Sequence, residues 1–513
     1  LLSRRQRQMC IRDRMRRILG AGTNRLNIYV IQKANVGFAK YIASLPEGKE
    51  RGVAIGYDNR HMSYKFAIES AKVLATYGIK SYIFESLRPT PELSFAVRYL
   101  KCAGGIMITA SHNPKEHNGY KVYDDTGCQL LPEAADQVVQ YVNEVEDELN
   151  IKVFSDEEAY PYMTWIGEEV DEAYYKEVMA IEVNPGMDKS DFKIVFSPQH
   201  GTSNIAVRTC LTRLGYDLVP VLAQCAPDPD FSNTKSPNPE VPASYELAIK
   251  KAKEVDADVV VITDPDGDRL GVVAKHNGEY VLMSGNQSAA VYLEYILSQM
   301  KEKGTLPDNA VMYNTIVTSD LGELVARSYG VDVEKTLTGF KFIGDKIRKY
   351  EQTHEKTFVF GYEESYGCVI KDFVRDKDAV QAVLTAAEAG NFYKKQGKDL
   401  VDVLNELYAK HGTFKETQIA LSKAGAAGAA RIKEIMDNLR KDAPQEIGGV
   451  KVVKVEDYGN STCSDGTTIQ LPKSNVLKYY LEDGSWIAAR PSGTEPKCKF
   501  YSVSYTHLTL PTT

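Results

Sequence analysis

What most constrains the fold is an internal echo at domain-sized spacing. Three times an apolar stretch runs into a polar loop, at 53–60 (VAIGYDNR), 194–200 (IVFSPQH) and 311–315 (VMYNT). Each time a second apolar stretch follows and ends in a loop dense in functional side chains, at 106–109 (IMIT), 259–263 (VVVIT) and 357–360 (TFVF). After the first loop the pattern turns helical: Ser63 reads as the N-cap, Ala67, Ala71 and Leu74 share one face, and Gly78 is the stop. Strands alternating with helices predict layered α/β units whose ligands gather at strand ends. The period exceeds that of solenoid repeats, so three related units are expected at 15–185, 190–303 and 306–412. A smaller fourth unit, 413–503, opens with an Ala-rich helical pattern over 425–439, followed by a strand at 450–455 and a hairpin over 476–489.

Composition narrows the function classes. With 513 residues, 43% apolar and 26% charged, the chain is globular rather than disordered. Its apolar runs fall far short of the ~20 residues a membrane span needs. A net charge of -7 argues against generic nucleic-acid binding. Eight cysteines without a CxxC pair suggest neither a disulfide framework nor a zinc cage, so a reduced, cytoplasmic compartment is the expectation. Both ends are expected to be non-native. Residues 1–14 hold five Arg and one Asp, and with 504–513 they resemble translated adapter read-through. An Arg-rich transit peptide is the alternative for the first, and a signal peptide fails for lack of an apolar region. Setting 1–14 aside leaves a more acidic chain.

Four loops carry chemistry. TASHNP at 109–114, followed by Asn118 and Lys121, offers Ser111 as a nucleophile with His112 and Lys121 near in sequence. The plain alternative is a Ser/Asn/Pro turn, and the hydrolase elbow pattern is absent. DPDGDR at 264–269 places three carboxylates after a strand, hard oxygen donors suited to Mg²⁺ with positions open for phosphate. An EF-hand fails here, because Arg269 stands where the turn glycine belongs and Lys275 where the bidentate Glu belongs. GYEESYG at 361–367 brackets paired carboxylates and a hydroxyl with glycines, apt for vicinal sugar hydroxyls or simply an exposed turn. RPSGT at 490–494 combines an Arg fork with Ser, Gly and Thr, a phosphate-closing composition without the lysine of a P-loop, or again a simple turn.

TASHNP, DPDGDR, GYEES and RPSGTEP in this order resemble the α-D-phosphohexomutase family, and the likeness spans about 15–503. Segments 54–63 (AIGYDNRHMS), 87–92 (LRPTPE) and 336–344 (TLTGFKFIG) are similar to its bacterial phosphoglucomutase branch. The resemblance implies three similar α/β domains with mixed sheets flanked by helices, plus a smaller α+β C-terminal domain, around a central cleft. It implies Ser111 as the phosphoserine, with Asp264, Asp266 and Asp268 holding Mg²⁺ together with the serine phosphate. Lys121 becomes the candidate general acid/base, supported by His112. Arg16 and Arg269 become phosphate contacts, Thr338, Gly339 and Lys377 substrate contacts, and Glu363 with Ser365 the sugar-hydroxyl clamp. Arg490, Ser492, Gly493 and Thr494 become the grip on the non-reacting phosphate. The implied activity interconverts glucose 1-phosphate and glucose 6-phosphate, primed by glucose 1,6-bisphosphate. Phosphomannomutase or phosphopentomutase activity is the alternative within the family. A phosphatase and a non-catalytic sugar-phosphate binder are the alternatives outside it. The implied partner is a small phosphosugar, with no nucleic acid or membrane and an oligomeric state left open. The segment 15–20 departs from the family's Gly-rich opening, with Arg17 where Gly is usual, and a truncated C-terminal domain lacking its last helix is expected.

Overall fold

The computed structural model describes residues 14–423, 425–492 and 497–506. The first sheet contains β1 (Arg14–Ile18), β2 (Val53–Tyr57), β3 (Ser81–Phe84), β4 (Gly104–Ile108), β5 (His117–Tyr123) and β6 (Met163–Ile166), ordered β1-β5-β4-β2-β3-β6. The second contains β7 (Lys193–Ser197), β8 (Asp217–Pro220), β9 (Val259–Thr263), β10 (Leu270–His276) and β11 (Glu279–Met283), ordered β11-β10-β9-β7-β8. The third contains β12 (Ala310–Thr315), β13 (Asp332–Thr336), β14 (Thr357–Glu363) and β15 (Gly367–Val369), ordered β13-β12-β14-β15.

The three sheets repeat one set of pairings, the duplication behind the sequence echo. In each sheet the strand of the first echo (β2, β7, β12) pairs in parallel with its successor (β3, β8, β13). On its other side it pairs in parallel with the strand of the second echo (β4, β9, β14). That strand then takes an antiparallel neighbour (β5, β10, β15). The central strands are apolar on both faces because helices cover both, which is why β9 reads as an unbroken Val-Val-Val-Ile run. Helices Thr90–Tyr99, Asn204–Arg213, Gly285–Glu302 and Ala379–Lys394 contribute to one core shared by all three sheets. The loops after β4, β9 and β14 therefore leave equivalent ends of equivalent strands and face a common space.

The fourth unit is an antiparallel sheet of β16 (Thr413–Ser422), β17 (Glu446–Ile447), β18 (Val450–Asp457), β19 (Thr462–Cys463), β20 (Leu477–Leu481), β21 (Trp486–Pro491) and β22 (Lys497–Thr506). Helix Gly425–Lys441 packs Ile432 and Met436 against Leu477, Tyr479, Ala489 and Cys498. Among the described residues no helix is long and apolar enough to cross a membrane.

The fourth unit opens with β16 rather than with its helix, and Ser63 and the strands at the two ends add further detail. Ser63 is the first helical residue rather than the N-cap, because its hydroxyl donates to the buried Asp58 carboxylate (2.6 Å). Arg14, placed in the non-native start, belongs to β1 and pairs with Lys121 in β5. At the other end β22 runs three residues into the tail read as non-native, with Ser504 and Thr506 paired to Lys415 and Thr413. In both places the ladder continues wherever a partner strand offers its edge.

Candidate active site

The loop after β4 holds Ser111 fully buried and at φ 53, the left-handed region that costs a non-glycine residue energy unless its surroundings impose it. The Thr109 hydroxyl accepts from the Ser111 amide (2.8 Å). The turn aims the Ser111 hydroxyl out of its own unit: it donates to Asp264 Oδ2 at 2.7 Å and lies 3.1 Å from His112 Nδ1. Burial, with Arg269 and Arg16 adding positive charge, pushes His112 well below its ordinary value, so the imidazole is neutral.

The loop after β9 supplies the acids. Asp264, Asp266 and Asp268 are buried, and one oxygen of each lies within 4.8 Å of the others. Gly267 makes the turn at φ 67, and a Cβ there would stand 2.8 Å from Pro89. The Asp264 Oδ1 atom accepts from the amides of Asp268 and Arg269, both at 3.1 Å, which orients the carboxylate toward Ser111. Burial and the repulsion of Asp266 and Asp268 push Asp264 well up. Burial acts the same way on Asp266, but the Lys121 ammonium at 2.7 Å outweighs it and holds that carboxyl well down. Lys121 also lies 3.4 Å from Asp268 Oδ2. Asp266 Oδ1 and Asp268 Oδ1 are buried without a hydrogen-bond partner, which fits a divalent cation held by this triplet. Arg16, in β1 opposite Gly119, has its Nε buried and unpartnered. Burial and Arg14 lower it to about 10 against the pull of Asp266.

Two further loops close the space. The Glu363 Oε1 atom accepts from the Gly339 amide (2.7 Å), which joins the 361–367 loop to Thr338-Gly339, and the buried Thr338 hydroxyl has no partner. Lys377 bridges Asp376 (2.9 Å) and Asp268 (3.1 Å) and lies over the Phe340 ring. Ser365 is half-buried at the tip of its loop. At the end of β21, Arg490 donates to the Tyr501 hydroxyl (3.3 Å) within electrostatic reach of Glu364 and Glu363. The Ser492 amide donates to the Lys497 carbonyl (2.7 Å), while Gly493 and Thr494 lie outside the described residues.

Models of the four domains of one family match this chain in order. Phosphoglucomutase/phosphomannomutase alpha/beta/alpha domain I covers 10–149, domain II 172–278, domain III 284–411 and the C-terminal domain 429–505. The chain belongs to the phosphoglucomutase/phosphomannomutase family. It is 40% identical over 497 residues to a phosphoglucomutase of Staphylococcus epidermidis, covering 95% of this chain and 89% of that protein. A phosphoglucomutase of Staphylococcus aureus is 39% identical over 489 residues, covering 94% and 87%. Solved structures share the fold. A phosphoglucomutase/phosphomannomutase family protein from Burkholderia thailandensis has a TM-score of 0.70 at 18% identity, covering 98% of this chain and 94% of that one. The parafusin phosphoglucomutase of Paramecium, in its open form, has a TM-score of 0.68 at 19% identity with the same coverage.

Within this phosphohexomutase framework hydrogen bonds and electrostatic contacts link Ser111, His112, Lys121 and Arg16 of the first unit to the acids and Arg269 of the second, these in turn to Glu363 and Lys377 of the third, and through Glu363 and Glu364 to Arg490 of the fourth. The structure also adds residues to which the sequence reading gave no role. Glu240 accepts from Arg269 Nη1 at 2.6 Å and sits alone in a Pro-rich loop with no spacing to mark it. Lys499 is lowered by burial in the same electrostatic neighbourhood as Arg269 and Glu364, and only its alternation with Lys497 along β22 hinted at an inward face. Glu364, beside the predicted Glu363, is raised to about 7 by burial and by that neighbour. Arg60 lies inside the 54–63 segment and turns out to hold the Ser111 loop.

Proposed function

We propose that this enzyme is a cytoplasmic phosphosugar mutase interconverting glucose 1-phosphate and glucose 6-phosphate through a phosphorylated Ser111 and a glucose 1,6-bisphosphate intermediate. The observation that carries the reading is the 2.7 Å contact between Ser111 Oγ and Asp264, which unites a nucleophile from the first unit with an acid triplet from the second.

The chemistry needs a phosphoryl group delivered to one sugar oxygen and recovered from another. A serine carrier divides this into two in-line transfers. Mg²⁺, held by Asp264, Asp266, Asp268 and the serine phosphate, would neutralise charge on the transferring group. The chain's own residues do the rest. Lys121, at the edge of the triplet, is placed to hold or release a proton at the sugar oxygen, and neutral His112 accepts from or donates to Ser111 Oγ. Arg16 and Arg269 face the transferring phosphate. Glu363 and Ser365, supported by Thr338, Gly339 and Lys377, accept and orient the sugar hydroxyls. Arg490, Ser492, Gly493 and Thr494 hold the phosphate that is not reacting, and must accept either end of the bisphosphate as it turns. In this division of labour 15–185 carries the nucleophile, 190–303 the acids, 306–412 the sugar loop and 413–503 the phosphate grip.

A coupled assay with glucose 1-phosphate, mannose 1-phosphate and ribose 1-phosphate, with and without glucose 1,6-bisphosphate and Mg²⁺, tests the proposal. Glucose 6-phosphate should form fastest from glucose 1-phosphate, should depend on primer and metal, and mass spectrometry should place phosphate on Ser111. Faster turnover of mannose or ribose phosphate, or inorganic phosphate released without isomerised product, would overturn it.

A further inference from the structure

Beneath the Ser111 loop lies a buried cation. The Arg60 guanidinium donates from Nη1 to the carbonyls of Pro114 (2.9 Å) and His117 (3.0 Å), and from Nη2 to those of Ser111 and Asn113. Asp58 Oδ2 stands 3.3 Å from Arg60 Nε, and Asp58 Oδ1 accepts from the Arg60 amide. Four carbonyls that converge on one point repel each other, and a turn that gathers them around a left-handed serine needs donors in their midst. A guanidinium offers five N–H groups in a fixed plane, whereas an ammonium offers three from a single atom. The other face of Arg60 is covered by the Phe231 ring at 5.0 Å, which belongs to the second sheet's unit. That contact is flanked by a bond from Asn59 Nδ2 to the Asp228 carbonyl (2.9 Å).

We propose that Arg60 is a positioning residue for Ser111: its fork fixes the 111–117 loop so that the hydroxyl meets Asp264, and Phe231 couples this fixing to the unit that carries the acids. Arg60 lies under the loop, so its part is to set where the nucleophile stands rather than to touch the sugar. The kinetic half of this inference rests on the mutase reading above.

The test compares Arg60→Lys, Arg60→Ala and Phe231→Leu with the parent, each as the full chain, by mutase kinetics and by amide hydrogen exchange. Arg60→Lys should lower kcat by ~10–100-fold, the effect of misplacing a reacting atom by about an ångström, while KM for glucose 1-phosphate stays within about threefold. Exchange over 111–118 should quicken. Added guanidinium should restore part of the kcat of Arg60→Ala and none of that of a Ser111→Ala control. Phe231→Leu keeps every hydrogen bond of Arg60, so it serves if the Arg60 variants do not fold; it should lower kcat by roughly 3–10-fold and quicken the same amides. A kcat within twofold of the parent in Arg60→Lys, a KM that rises as far as kcat falls, or unchanged exchange over 111–118 in the folded variants would each overturn the proposal. A parent that turns over no phosphosugar would remove the mutase reading and leave the exchange comparison to decide the role of Arg60.

Discussion

The junction of the first two units and the attachment of the C-terminal sheet are held in different ways. Between the first two, contacts converge on the candidate site: Ser111 to Asp264, Lys121 to Asp266, the Thr90 hydroxyl to Asp266 Oδ2 (3.0 Å), and Arg60 against Phe231. The C-terminal sheet is fastened to the third unit and its preceding helix by contacts that do not involve Ser111 or the acid triplet. Glu416 accepts from Ser284 (3.0 Å) and from Asn286, the Trp486 indole donates to Asp320 (2.8 Å), and Lys478 donates to the Ile316 carbonyl (2.9 Å) while stacked on Trp486. A transfer step needs its atoms placed to a fraction of an ångström, so its ligands share a cross-braced junction. Under the proposed function, a grip that receives either phosphate of a turning bisphosphate is better carried on a body anchored at its far side.

Substitutions can break this contrast, beginning with the strongest. Ser111→Ala should remove turnover, more than ~10³-fold in kcat, and abolish phosphate incorporation measured by mass spectrometry. Lys121→Met should lower kcat by ~10²–10⁴-fold in a steady-state assay; near-normal turnover would refute its acid/base part. On the other side, Arg490→Lys should raise KM by about tenfold with kcat within a few fold, because a bidentate fork becomes a point charge. If Arg490→Lys lowered kcat as steeply as Lys121→Met, the two regions would not differ in kind.

The anchor of the C-terminal sheet makes a smaller prediction. Burial and the nearby Lys335 push Lys478 down to about 7. The folded state then binds fewer protons at this site than the unfolded chain between about pH 7 and the ordinary lysine range. Stability contributed here is complete above that range and fades as pH falls toward 7, by at most about 1.4 kcal/mol per pH unit. Thermal unfolding followed at pH 7 and pH 9 should show this slope in the parent and lose it in Lys478→Met. Smallest of all, Trp486→Phe should cost about 1 kcal/mol by deleting the bond to Asp320, with kcat unchanged, read from chemical unfolding.

Most of the fold was legible because the duplication is written in strand order: two apolar runs per unit, each ending in a distinctive loop, map onto β2 and β4, β7 and β9, β12 and β14. Ser111 and the acids stand out in the sequence because their motifs are dense, and the structure brings them together. Arg60, Glu240 and Lys499 do not stand out, since each reaches the site from a different loop or strand and owes its place to tertiary packing that no local pattern encodes. Ser63 misled for a related reason: a buried Asp58 competes for the hydroxyl that an isolated helix would use as its cap.

The equivalence of the loops after β4, β9 and β14 bears on how such a protein changes over generations. Each stands where a sheet hands over from a parallel neighbour to an antiparallel one, so the three share one position in their sheets while differing in composition. On the division of labour proposed above, a change of hexose would fall to one rim while the residues assigned to transfer, on the other two, would stay where they are.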